Sequence, residues 1–308
     1  LPQAGGSLVV SVGADKTLRV WSAERRCMLG MRLLAEGATA VAPSPDGTAL
    51  ALALADAPGT VVVMDMASLS DELALSRPAQ GGVSALAFSP SGQWLAVGTD
   101  RGTVEIFAAL DGCRPHGVCS ALDGAVTCMD WSVDSGTLQV NTDAFELAFW
   151  DARTCEQLPA SQARRVAWST WTCALGWASK GAFARVDQPA QLTRACRSHD
   201  ATTLAVGDAF GGVSLFAYPC TSFVAGAAVY EAHAGPVAGL AWVGNDGALL
   251  SAGADDGCVM QWRHEGPTAG PGGVVAPGLA QLDPEDLDSE VEEEMESARG
   301  GGPGAGAA

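Results

Sequence analysis

A chain of 308 residues, 48% apolar and 17% charged, is long enough to bury a large core, which excludes disorder throughout. Its formal charge of -18, with only Lys16 and Lys180 as lysines, leaves no basic stripe and excludes nucleic acid as an expected partner. No apolar stretch approaches the roughly 18 residues of a bilayer span, and the opening "LPQAGGSLVV" lacks the basic-then-apolar layout of a secretion signal, so no membrane partner is expected either.

The chain starts at Leu1 rather than methionine, and the expectation is a C-terminal piece of a longer protein. The first predicted element pair is "SVGADKTLRVW" (11–21): strand, polar turn, strand. The layout returns in "ALADAPGTVVVMD" (53–65), "AVGTDRGTVEIF" (96–107), "QVNTDAFELAFWD" (139–151), "LAVGDAFGGVSLFAYPC" (204–220) and "SAGADDGCVMQW" (251–262). A small or turn-forming residue stands nine positions before a large apolar one at Ala55–Met64, Gly98–Phe107, Asn141–Trp150, Gly207–Phe216 and Gly253–Trp262; the pair Gly13–Trp21 is one shorter. The large residues fall at 21, 64, 107, 150, 216 and 262, with spacings of 43, 43, 43, 66 and 46. Self-similarity at about 40–45 residues, with paired strands in each unit, predicts an all-β propeller of four-stranded blades.

A further short strand precedes several hairpins, at 83–89, 126–132, 192–198 and 237–243, and a fourth, outer strand is weaker in pattern. One blade cannot hide both apolar faces, so neighbours must stack around an axis. Six blade units are visible; the first is expected to lack its inner strand, and chain upstream of Leu1 is expected to complete the ring. The long fourth spacing maps to an insertion at 169–191, "STWTCALGWASKGAFARVDQPAQ". The expected domains are a propeller over 1–264, a Gly/Pro linker over 265–282, and an acidic, Gly/Ala-rich tail over 283–308. Residues 283–296 hold nine acids and no base, leaving 26 acids and 16 bases in 1–282. Two readings of the tail stay open: a solvated acidic segment, or a short docking helix capped by Asp283 with Leu287, Val291 and Met295 on one face.

Chemistry-bearing residues do not assemble into a reactive constellation. "SHD" at 198–200 supplies the letters of a hydrolase triad, but adjacent residues of an extended chain point to opposite faces. "CRPHGVC" brings Cys113, His116 and Cys119 into one loop without the CxxC pairs usual for zinc. The glycine-rich turns lack a GxGxxG order and a following helix. Nine cysteines without a CxxC pair read as scattered thiols of a reducing, cytosolic compartment. No catalytic residue, cofactor or metal site is therefore expected.

The units resemble the WD-repeat family: Trp150-Asp151 is a literal WD pair, and Trp21-Ser22, Met64-Asp65, Phe107-Ala108, Phe216-Ala217 and Trp262-Arg263 are variants. That resemblance implies a structural hydrogen-bond network, which in the last unit would comprise His233, Ser251, Asp255 or Asp256, and Trp262. Residues 165–263 look like the C-terminal propeller of the echinoderm microtubule-associated protein-like family. "TWTCALGW", "ASKGAF", "CRSHD", "YEAHAGPVAGLAW" and above all GD-x-FG-x-V-x-LF-x-YPC (Gly207–Cys220) carry the likeness. Such a family has two tandem propellers, the first preceded by a hydrophobic motif, and binds tubulin or microtubules.

The resemblance implies a non-catalytic microtubule-associated scaffold of the cytoplasm and cytoskeleton, with a ciliary axoneme as one setting, and tubulin, microtubules and other cytoskeletal proteins as partners. The alternative is a generic WD-repeat adaptor that recruits a peptide or enzyme subunit. Loops on a rigid scaffold commonly carry contacts. Trp171, Trp177, Lys180, Phe183 and Arg185 of the insertion, with Arg164 and Arg165 before it, are candidate partner contacts; core burial of Trp171 and Phe183 is the competing reading. The turn residues Arg101, Phe145 and Phe210 are further candidates.

Overall fold

The computed structural model describes residues 2–3, 6–55, 59–69, 71–75, 81–120, 122–183, 192–222 and 226–264. They form six antiparallel sheets, each a simple meander. Blade one is β1 (Pro2–Gln3), β2 (Gly6–Val12), β3 (Thr17–Ser22) and β4 (Cys27–Leu33). Blade two is β5 (Ala38–Pro43), β6 (Ala49–Leu54), β7 (Val61–Asp65) and β8 (Asp71–Leu75). Blade three is β9 (Val83–Phe88), β10 (Trp94–Thr99), β11 (Val104–Ala108) and β12 (Arg114–Cys119). Blade four is β13 (Val126–Trp131), β14 (Thr137–Thr142), β15 (Leu147–Asp151) and β16 (Gln157–Leu158). Blade five is β17 (Leu192–Arg197), β18 (Thr203–Asp208), β19 (Gly212–Ala217) and β20 (Ala227–Glu231). Blade six shows three strands among the described residues, β21 (Val237–Trp242), β22 (Ala248–Gly253) and β23 (Val259–Arg263). The expectation that blade one lacks an inner strand is corrected: β1 exists, but it is two residues long and pairs only with Gly6 and Ser7.

The core lies between the blades rather than within them. Leu18 and Val20 of blade one meet Leu50, Leu52 and Met64 of blade two. Ala51, Ala53, Val61 and Val63 meet Leu95, Val97 and Phe107 of blade three. Val104 and Ile106 meet Met129, Trp131, Leu138 and Trp150 of blade four. Ala205 and Val213 of blade five meet Trp242 and Leu249 of blade six. Blade six in turn packs Val243, Ala248 and Leu250 on Ala23 and Val9 of blade one, where Gln261 Nε2 donates to the Ala23 carbonyl at 3.3 Å.

Repeated polar latches join the inner strands. The hydroxyls of Thr39, Ser84 and Thr193, each the second residue of its inner strand, donate to the carbonyls of Val83, Val126 and Val237 in the next blade at 2.8, 2.7 and 2.7 Å. The small residue of the sequence repeat serves the same joint. A Cβ at Gly98 would stand 2.6 Å from Val126 Cγ1, and one at Gly207 would stand 2.6 Å from Val237 Cγ1. The next blade's inner valine thus lies against bare backbone, an approach that only glycine permits.

Candidate interaction surfaces

Alternate turns of a meander lie at opposite ends of its sheet. The turns joining second to third strands therefore share one end with the loops that lead into each next blade. Arg101 (between β10 and β11), Phe145 (between β14 and β15) and Phe210 (between β18 and β19) sit on such turns; Phe145 is 52% and Phe210 72% exposed, and Arg101 is exposed. Phe145 holds φ at 61°. Asp208 accepts the backbone N–H groups of Phe210 and Gly212 at 2.8 Å each, which fixes the turn that presents Phe210.

In the same end of blade six, His233 Nδ1 lies 2.9 Å from Asp256 Oδ2 and its Nε2 lies 2.8 Å from Ser251 Oγ, which accepts the Trp262 indole N–H at 2.9 Å. One proton arrangement satisfies all three: Nδ1–H donates to the carboxylate, Nε2 accepts from the serine, and the serine accepts from the indole. The backbone N–H of Cys258 and the imidazole hold the Asp256 carboxyl below its usual range. The acid in the network is Asp256; Asp255, the residue before it in the same turn, is exposed. Serine, histidine and aspartate here have the connectivity of a hydrolase relay. Ser251 is 1% exposed and its oxygen is already engaged by Trp262, so no substrate reaches it. Blade one retains half of the network, Trp21 Nε1 donating to Ser11 Oγ at 2.9 Å. In blade four Gln139 takes the serine's place and turns to Asp130, leaving buried Trp150 Nε1 without an acceptor among the described residues.

The insertion is a wedge between blades four and five. Trp168 bridges to Ser132, Val133 N–H donates to the Ala167 carbonyl at 2.8 Å, and Ser169 N–H to that of Trp131 at 2.9 Å. Buried Asp130, on β13, accepts Thr170 Oγ1 at 2.6 Å, the backbone N–H groups of Thr172 and Cys173 at 2.9 Å, and Gln139 Nε2 at 2.9 Å. Asn141, at the repeat position held by glycine in blades three and five, exchanges two hydrogen bonds with the Leu175 backbone, at 2.8 and 3.3 Å. On the blade-five side, Arg197 donates to the carbonyls of Trp168 and Ser169 at 2.9 and 3.0 Å and lies over the Tyr218 ring. A 3₁₀ turn (Trp177–Ser179) and helix α2 (Lys180–Phe183) follow, tied to blade five by the paired backbone bonds of Ala178 and Gly181 with Cys220.

Of the two readings of Trp171, this placement corrects partner contact in favour of core burial. Trp171 is 1% exposed and packs edge-on to Tyr218 inside the wedge, so it is a core residue. Lys180 and Phe183 are half-buried, whereas Trp177, at 49%, and Arg164 and Arg165, which follow helix α1 (Ala160–Ala163), are exposed. Arg185 lies outside the described residues, as do the linker and tail from 265 onward. The "SHD" and "CRPHGVC" residues disperse. Ser198 donates to Asp200 at 2.6 Å, while His199 Nδ1 meets Asp246 of blade six at 2.7 Å. His116 packs tilted against the Trp94 ring and contacts the Arg153 carbonyl, Cys113 points to the Ala109 carbonyl, and burial pushes the Cys119 thiol beside Cys155 well up. A cleft of ≈ 100 Å³ between blades five and six, lined by Leu215, Tyr230, Trp242, Leu249, Trp262 and His264, was not foreseen, because its residues come from five different strands, with His264 just past the last of them.

A family model described as the echinoderm microtubule-associated protein second beta-propeller matches residues 3–264. Echinoderm microtubule-associated protein-like 2 of Homo sapiens is 31% identical over 258 residues, covering 82% of this chain and 39% of the relative. Echinoderm microtubule-associated protein-like 1 of Homo sapiens is 29% identical over 264 residues, covering 84% and 32%. The 77 kDa echinoderm microtubule-associated protein of Strongylocentrotus purpuratus is 30% identical over 259 residues, covering 83% and 37%. The chain thus spans well under half the length of these relatives. Among solved structures, a chain of the mitotic checkpoint complex matches with a TM-score of 0.67 at 18% identity, covering 83% of this chain and 84% of that one. Hydrazine synthase of Kuenenia stuttgartiensis matches with a TM-score of 0.62 at 12% identity, covering 86% and 97%. At those identities the likeness is of fold alone.

Proposed function

Because the chain belongs to the echinoderm microtubule-associated protein family, matched over residues 3–264 by the family's second propeller, we propose that it is a non-catalytic, microtubule-associated scaffold that binds tubulin or microtubule-bound proteins through its propeller loops. Family membership is the observation that carries this reading. The surface is compatible with it: Arg101, Phe145 and Phe210 project from turns at one end of the blades, and Trp177, Arg164 and Arg165 stand exposed on or beside the wedge. Aromatic and arginine side chains held on rigid elements are the usual anchors of protein interfaces. The setting that follows is cytoplasmic and cytoskeletal, with the ciliary axoneme included.

The test is cosedimentation of the full chain with stabilised microtubules. Enrichment in the pellet above a control protein is expected, and replacing Arg101, Phe145 and Phe210 together by serine should lower it several-fold. Wild-type protein that stays in the supernatant with the control would refute the reading.

A further inference from the structure

The outer strand of blade one departs from its counterparts. On β4, Met28, Leu29, Met31 and Leu33 are 48, 49, 50 and 71% exposed, and the strand ends its sheet. Register explains the exposure. Gly30 and Arg32 pair with Val20 and Leu18, which pack on blade two, and the Arg32 guanidinium donates to the Leu69 carbonyl there. Met31 and Leu33, opposite Arg19 and Thr17, therefore lie on the face turned away from blade two. Outer strands elsewhere keep a charge or histidine on their exposed residues: β12 exposes Arg114 and His116 beside Val118, and β20 exposes Val229 and Tyr230 but ends on exposed Glu231. Soluble proteins blunt edge strands with charge or proline, because an apolar edge templates pairing with another chain. In Cys27–Leu33 the one charged side chain, Arg32, is committed to blade two.

The charge around this strand opposes that of the molecule. Residues 17–33 contain Arg19, Arg25, Arg26 and Arg32 against Glu24 alone, in a chain of net charge -18. Arg19 is paired with Asp15 at 2.9 Å, while Arg25 and Arg26 are exposed in the turn between β3 and β4. An apolar edge beside a local excess of arginine complements an extended segment that alternates apolar side chains with carboxylates.

We propose that β4 is an acceptor edge for an extended acidic peptide of a partner protein, which adds to blade one as a further strand. Its apolar side chains cover Met31 and Leu33, and its carboxylates meet Arg25 and Arg26. This site lies along the rim of one blade and is independent of filament binding through the turns.

The experiment titrates the full chain into a labelled synthetic peptide alternating glutamate with valine or leucine, read by fluorescence anisotropy and by hydrogen exchange. Saturable binding with slowed exchange at residues 27–33 is expected. Substituting Met31→Glu with Leu33→Glu should weaken binding about tenfold, and Arg25→Glu with Arg26→Glu should weaken it several-fold and flatten its salt dependence. Both pairs are surface changes, and an unchanged thermal melt verifies folding. Wild-type affinity in the Met31/Leu33 variant, or equal binding of a peptide carrying lysine in place of glutamate, overturns the proposal. So does concentration-dependent self-association of the wild type in sedimentation velocity that this variant abolishes, which would make a second copy the occupant. Microtubule cosedimentation of the same variant should match wild type, so the two readings fail separately.

Discussion

Asp130 shows how one side chain reshapes a repeat. In the three other inner strands that the sequence pattern picks out, the equivalent position is Ala87, Cys196 or Ala241; an acid there is the signal that sequence reading passed over. Its buried carboxylate gathers donors from Gln139, Thr170, Thr172 and Cys173, and so substitutes for the inner strand that would otherwise pack beside β13. Replacing Asp130 by alanine strands these donors away from water. The expected loss is about 2–4 kcal/mol, because orphaned buried donors bear the full desolvation cost. Chemical denaturation should show the lower midpoint, and hydrogen exchange should show the amides of 170–175 released first. Asp130→Asn keeps acceptor capacity on one oxygen only and should fall between the two. Unchanged stability in Asp130→Ala would mean that the wedge does not depend on this carboxylate.

At the level of elements, the hairpins were legible because a small or turn-forming residue recurs ahead of each large apolar one, and in blades three and five that residue is a bare backbone position on the second strand where the next blade's inner valine docks. Gly98 against Val126 and Gly207 against Val237 are two instances of one joint. Valine at Gly207 must displace Val237, and overpacking of this kind costs about 1–3 kcal/mol. Valine at Gly30 of β4, where a Cβ would meet nothing within 4 Å, serves as the control and should stay within about 0.5 kcal/mol of wild type. Thermal unfolding of the two variants compares them directly; equal melting temperatures would remove the packing explanation of the repeat. Other elements were less readable. The inner strand β5, "ATAVAP", lacks a strong alternation, and β1 and β16 are only two residues long. The insertion reads as a loop with exposed aromatics because its folding rests on backbone bonds and on partners some forty residues away, which no local pattern reports. Trp171 read equally as contact or core for that reason, and its ring closes the interior.

Across the whole molecule, the turns between first and second strands bear a shared dependence on carboxylate charge. Ser44, Ser132 and Ser198 donate to Asp46, Asp134 and Asp200 at 2.6, 2.5 and 2.6 Å. Together with the backbone N–H groups of Thr48, Gly136 and Thr202, these serines hold the three carboxyls below their ordinary range. At the neighbouring turn of blade six, burial opposes ionisation of Asp246, but hydrogen bonds from His199 and the Asp200 backbone prevail and lower it as well, linking blades five and six. A group whose pKa is lower folded than unfolded stabilises the fold above its unfolded value, about 3.9 for aspartate, and that contribution is lost as pH falls through the folded value. Acid has an opposing effect here, since protonation also relieves the repulsion within a chain of charge -18. The two are separable by range: repulsion between distant surface charges is screened at about 0.15 M salt, whereas hydrogen-bonded turns are not. In such salt the melting temperature should stay level down to about pH 5 and drop below about pH 4. A variant with asparagine at 46, 134 and 200 should begin lower and lose less over the same descent. Parallel acid limbs for the two proteins would show that these turns do not set the acid sensitivity of the propeller.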